Sequence, residues 1–114
     1  MKSKLFRSKE MTFSPHPRLA NVQMAICITG NDTETVSVCM IDIAPKEGPP
    51  IHSHDLQVDS IFVVSGKGET YMNGRWEPIE AGDYIFVPQG EDHGIRNTGH
   101  ESLRIFVHHS PPIL

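Results

Sequence analysis

Residues 82–97, GDYIFVPQGEDHGIRN, decide how the rest of the chain is read. Asp83–Val87 is a β-branched and aromatic run that follows the turn pair Ala81-Gly82. Pro88, Gly90 and the acidic pair Glu91-Asp92 break it, and Gly94–Asn97 starts a second short run. Short apolar runs cut by Gly and Pro are the mark of strands joined by tight turns. His93 stands where the turn hands over to the second run. Alternation along a strand then puts Ile95 and Asn97 on the same face as His93, with Arg96 on the other.

The same pattern extends in both directions. Val22–Thr29 and Thr35–Ile43 flank the turn formers Gly30–Asp32. Gln57–Val64 ends at Ser65-Gly66, and Leu103–His109 runs up to Pro111-Pro112, which cannot extend a central strand. Glu69–Met72 and Arg75–Pro78 flank Asn73-Gly74, the preferred pair for a two-residue type I′ hairpin. Ile and Val number 19 against five Leu, and Gly plus Pro number 18. That bias favours strands and turns over helices. With 114 residues the chain is long enough for one domain with a real core, and its many short strands predict a sandwich or barrel.

Composition excludes several classes. No apolar run approaches the roughly 20 residues of a membrane span, and the first residues lack the apolar stretch of a secretory signal. Cys27 and Cys39 lie in apolar runs, so reduced buried thiols and a cytoplasmic location are expected. Residues 1–18 carry five basic side chains and one acid. The remaining 19–114 carry five basic and thirteen acidic, a balance of −8. An acidic body argues against a nucleic-acid surface. The reading is therefore a basic, solvated arm over 1–18 and a β-barrel domain over 19–114.

Seven histidines stand out beside two tyrosines and one tryptophan. His52-Ser53-His54 places two imidazoles on one face of an extended segment, which is half of a metal site. Asp59 follows after four intervening residues, and Gly66 after six more. Together with 82–97, this stretch resembles the cupin superfamily. That family's second motif, G(X)5PXG(X)2H(X)3N, is matched at every fixed position by Gly82, Pro88, Gly90, His93 and Asn97. Chance would produce that match at roughly 10⁻⁷ per starting position. The first motif, G(X)5HXH(X)3–4E(X)6G, is matched with two departures. Gly48 precedes His52 with three intervening residues instead of five, and Asp59 stands where the family usually has Glu.

The resemblance implies an all-β fold, a double-stranded β-helix or jelly-roll barrel in a single domain, paired as a homodimer. It also implies a divalent transition metal ion, Fe, Mn, Ni, Zn or Cu, held by His52, His54, His93 and the residue at 59. Asp is one methylene shorter than Glu. Three ways of completing the shell stay open: Asp59 directly, water beside three histidines, or the amide oxygen of Gln57 on the same strand face.

Adjacent strand residues face opposite sides, so one of His108 and His109 is expected to face the barrel, either as an acid or base or as a strand-end histidine near the mouth or on an interface. His16 and His100 lie among turn formers and are expected to face solvent. Tyr71, Trp76, Tyr84 and Phe86 are candidates for core or for a dimer contact.

The function implied is a metal-dependent enzyme, dioxygenase-like, acting on a small organic acid, dicarbonyl or enediol. Two alternatives stand beside it: a non-catalytic sensor of a small ligand, and an isomerase, lyase or decarboxylase acting on sugar or uronate derivatives. No nucleic-acid or membrane partner is expected.

Overall fold

The computed structural model describes residues 1–114. Nine strands form in chain order: β1 Ser14–Pro15, β2 Val22–Ile28, β3 Ser37–Ile43, β4 Val58–Ser65, β5 Lys67–Met72, β6 Arg75–Glu80, β7 Tyr84–Val87, β8 Gly94–Arg96 and β9 Leu103–Ser110. All pairings are antiparallel. One sheet has the order β1-β2-β3-β9-β4-β7 and the other β6-β5-β8. Neighbours β9 and β4, far apart in sequence, pair along most of their length, with a register shift between Val63 and Ser65, which is the crossing-over that makes a jelly roll. The only helix is one 3₁₀ turn at Ser8–Glu10, and no helix is long and apolar enough to cross a membrane.

Alternation builds the core. Along β4, Asp59, Ile61 and Val63 are buried while Phe62 and Val64 face out. Along β9, Leu103, Ile105, Val107 and His109 are buried, and the residues between them are half-exposed. The inward aliphatics of both sheets join in one cluster. Each of these side chains contributes roughly 1.5–3 kcal/mol on burial, so the sheets are clamped together mainly by this layer.

Turn chemistry sets the frame. Asn73 and Gly74 have φ of 52° and 84°, the left-handed pair that a type I′ turn needs, and they join β5 to β6 as expected. Gly48 is required for a different reason: a Cβ there would lie 2.6 Å from Cβ of Arg96. Asn97 is structural. Its Nδ2 donates to the carbonyls of Ile43 and Glu101, and its Oδ1 accepts from Gly99 N–H.

One expectation is corrected. Residues 1–18 are exposed except for the half-buried Met11, Phe13 and His16, and they touch the barrel at a few points. Lys4 pairs with Asp32 at 3.1 Å, Phe6 and Met11 lie on the outer face of the large sheet, and Ser14–Pro15 joins β2. His16 is half-buried instead of facing solvent. Its Nδ1 accepts from the backbone N–H of Arg18 and Leu19, and burial lowers its pKa with help from Arg18. A histidine acting as a turn cap has no sequence signal beyond the turn formers around it. His100 is exposed as expected.

Candidate metal centre

His52 and His54 lie in an irregular segment ahead of β4, outside any regular strand. His52 is tied to His93 by reciprocal backbone hydrogen bonds of 2.8 and 2.9 Å. The carbonyl of His54 accepts from Gly90 N–H. These links bring the two sequence stretches into register and gather three imidazoles, tilted or edge-on to one another, with ring centroids 4.3–5.2 Å apart. Asp59 enters from β4, and β9 sets His109 directly opposite it.

The ring orientations are fixed from behind. His52 Nδ1 donates to the Pro50 carbonyl at 2.9 Å, and His93 Nδ1 to the Glu91 carbonyl at 3.1 Å. A carbonyl only accepts, so Nδ1 carries the proton in each ring and Nε2 presents a lone pair to the centre. This is the usual arrangement behind metal-binding imidazoles. The donor atoms of His52, His54 and His93 all lie within 4.8 Å of one another, and so do those of His54, Asp59 and His109.

The donor set fits a cation. His54 Nε2, His93 Nε2 and Asp59 Oδ1 are buried and have no hydrogen-bond partner. His93 Nε2 is 2.9 Å from Asp59 Oδ2 and His109 Nε2 is 3.2 Å from Oδ1, yet neither His93 Nε2 nor Asp59 Oδ1 makes an aligned hydrogen bond. Each orphaned polar atom costs about 1–3 kcal/mol, which a shared ion would offset.

Electrostatics agree. Burial would raise the Asp59 carboxyl, but the His109 and His93 imidazoles override it and hold Asp59 well below the usual carboxylate range. Burial pushes the His54 imidazole down, only partly opposed by Asp59. Burial pulls on His93 too, but its contacts with Asp59 and the Glu91 carbonyl outweigh it and the net is upward. An ionised carboxylate among imidazoles is a cation receptor.

The structure separates the candidates. His52, His54, Asp59 and His93 come together. Gln57 is absent from the cavity lining, and its amide N–H donates to the Pro112 carbonyl at 3.3 Å. His109 is 9% exposed and borders the same space, whereas His108 packs edge-on against Phe106 at the outer face. The cavity has a volume of about 550 Å³, with largely aliphatic walls and Arg18 as the one Lys or Arg bordering it. His16, Arg18 and Cys39 also line it. Sequence reading missed all three as lining residues, since their position depends on how β1 to β3 close one side.

A family profile for the cupin domain matches residues 39–109. The chain belongs to the cupin family. This cupin is 33% identical over 91 residues to a protein of Aquifex aeolicus, covering 79% of this chain and 73% of that one. It is 34% identical over 65 residues to an oxalate-binding protein of Thermotoga maritima, covering 57% of this chain. The cupin spans about half, 54%, of that relative's length. The fold of the cupin superposes on a crystal structure described as a predicted oxalate decarboxylase from Thermotoga maritima. That match has a TM-score of 0.84 and 24% identity, covering 95% of this chain and 99% of the other.

Proposed function

We propose that this cupin is a cytoplasmic metal-dependent enzyme acting on a small organic acid, dicarbonyl or enediol. In this reading residues 19–114 form the working barrel and 1–18 an arm that lends His16 and Arg18 to its rim. The observation that carries the reading is the set of buried, unpartnered donor atoms on His54, His93 and Asp59, converging at a mostly aliphatic cavity. His52, His54, His93 and Asp59 would hold the ion. A divalent transition metal there would supply Lewis acidity to a substrate oxygen.

The remaining residues have separable tasks. Aliphatic side chains such as Ile61, Ile95 and Val107 exclude water and seat a carbon skeleton. A cavity of about 550 Å³ is at home with a substrate of several carbons more than oxalate. Arg18 is exposed at the rim, where it would meet a carboxylate that the metal does not hold. The similarity to an oxalate-binding protein supports an acid among the substrates.

The test uses untagged protein loaded in turn with Fe²⁺ and Mn²⁺, offered acidic diols, diketones and uronates. Oxygen uptake and product masses are followed. A product that depends on the metal is expected, with oxygen consumed if the chemistry is dioxygenase-like. Product without oxygen uptake would move the assignment to a decarboxylase, lyase or isomerase. Tight binding with no product from any metal form would overturn the enzyme reading in favour of a sensor.

A further inference from the structure

The centre contains one imidazole more than the motifs account for. His109 comes from β9, outside both motifs, and its cross-strand partner in β4 is Asp59. Directly opposite residues on one face of an antiparallel pair have Cβ atoms only about 4.5–5.5 Å apart. The imidazole therefore enters the barrel beside the carboxylate, and its Nε2 lies 3.2 Å from Asp59 Oδ1.

Several observations separate a ligand from a bystander. His54, Asp59 and His109 form a second three-donor set whose atoms lie within 4.8 Å of one another, and it shares His54 with the first. The two sets adjoin through His54, and Asp59 links them again, 2.9 Å from His93 Nε2 and 3.2 Å from His109 Nε2. Donors on a single ion at about 2.1 Å would sit about 3.0 Å apart side by side and about 4.2 Å apart across it. Asp59 Oδ1 lies 3.2 Å from His109 Nε2 and 3.7 Å from His54 Nε2, both inside that span, and Oδ2 lies at its lower edge, 2.9 Å from His93 Nε2. Asp59 Oδ1 lies 3.2 Å from His109 Nε2 without an aligned hydrogen bond, which leaves the two atoms side by side and open to a shared cation. His109 Nδ1 is buried without a partner, so no carbonyl fixes this ring's tautomer as Pro50 and Glu91 do for His52 and His93, and Nε2 stays free to offer a lone pair.

We propose that His109 holds the metal directly, so that the centre draws on five side chains, His52, His54, Asp59, His93 and His109. The inference rests on the metal reading above and deepens it. The short Asp59 withdraws one methylene towards β4, and the imidazole from the neighbouring strand occupies the space beside it. The added nitrogen shifts preference towards Ni²⁺, Zn²⁺ and Cu²⁺ relative to Mn²⁺, which favours oxygen ligands. It leaves fewer positions for substrate, and it takes His109 out of the running as a free proton acceptor.

The test compares untagged wild type with His109→Gln and His109→Ala. Affinities for Ni²⁺, Zn²⁺ and Mn²⁺ are measured by competition with a chelator, and the Co²⁺ form is followed by its visible spectrum. The expected result is a loss of about tenfold or more for Ni²⁺ and Zn²⁺, a smaller loss for Mn²⁺, and a changed Co²⁺ spectrum. Circular dichroism of the chelator-treated proteins checks folding. Should both variants fail to fold, nitrogen-15 spectra of wild-type histidine rings with and without Zn²⁺ decide the matter. His109 Nε2 is expected to shift with those of His54 and His93. Wild-type metal binding that is lost on His93→Ala but matched within twofold by the His109 variants, with an unchanged Co²⁺ spectrum, would overturn this inference alone. An unmoved His109 Nε2 in the Zn²⁺ form would do the same. A wild type that binds none of these ions would overturn both readings.

Discussion

Cys39 shows how the barrel treats a polarisable side chain that borders the centre. It is 1% exposed on the inner face of β3, and burial, with Cys27 and the Asp59 charge adding to it, pushes its thiol up to about 12. A thiol at that pKa stays protonated at neutral pH and behaves as an apolar wall, leaving the ion to nitrogen and oxygen donors. Cys27 is half-buried at the outer groove, and burial raises its pKa as well. Iodoacetamide at pH 8 is therefore expected to leave Cys39 unmodified in the folded protein and to label it once urea is added, read by mass spectrometry. Labelling of native Cys39 as fast as in urea would contradict the burial argument. At this scale the sequence was most informative about His52, His54 and His93, because motif spacing reports which side chains converge. It was silent on His16, whose half-buried place at the cavity depends on a turn closing over the rim. It also left His108 and His109 undecided, since alternation says that one faces in but not which.

Strands were legible because their alternation and turn residues are local. Seven of the expected runs differ from β2 to β8 only by a residue or two at their ends, and β9 extends one residue further, to Ser110. β1 was missed because two residues, one of them Pro15, carry no period; β2 makes them a strand. The outer face of the large sheet is where local reading ends. Tyr84 and Phe86 were candidates for core or for a dimer contact, and both point outward, 59% and 49% exposed, from β7 at the sheet edge. Phe62 and Val64 of β4 continue the strip beside the groove that Phe6 and Met11 line. An edge strand with a row of exposed aromatics is a site for pairing with another copy. Light scattering at micromolar concentration is expected to give about twice the chain mass of 12.7 kDa, and Phe86→Asp to reduce it towards one chain. A wild-type monomer would end this expectation.

At the scale of the molecule, the jelly roll joins distant parts of the chain at one end of the cavity. His52 and His54 come from the segment before β4, Asp59 from β4, His93 from the start of β8 and His109 from the end of β9. Tyrosine and tryptophan play little part in this. Tyr71 and Trp76 pack on each other, with Arg96 stacked 3.9 Å over the indole, away from the cavity lining. What the fold gathers is a set of buried donors that are costly to leave unpaired, beside aliphatic walls that cannot pair them. A bound metal ion would satisfy them. The direct measurement is elemental analysis of untagged protein, as purified and after exposure to Fe²⁺, Mn²⁺, Ni²⁺ and Zn²⁺, with His52→Ala and His93→Ala alongside. About one ion per chain in the wild type, and little or none in His93→Ala, is the result predicted here. A folded wild type that carries no metal and takes up none of the four would contradict it.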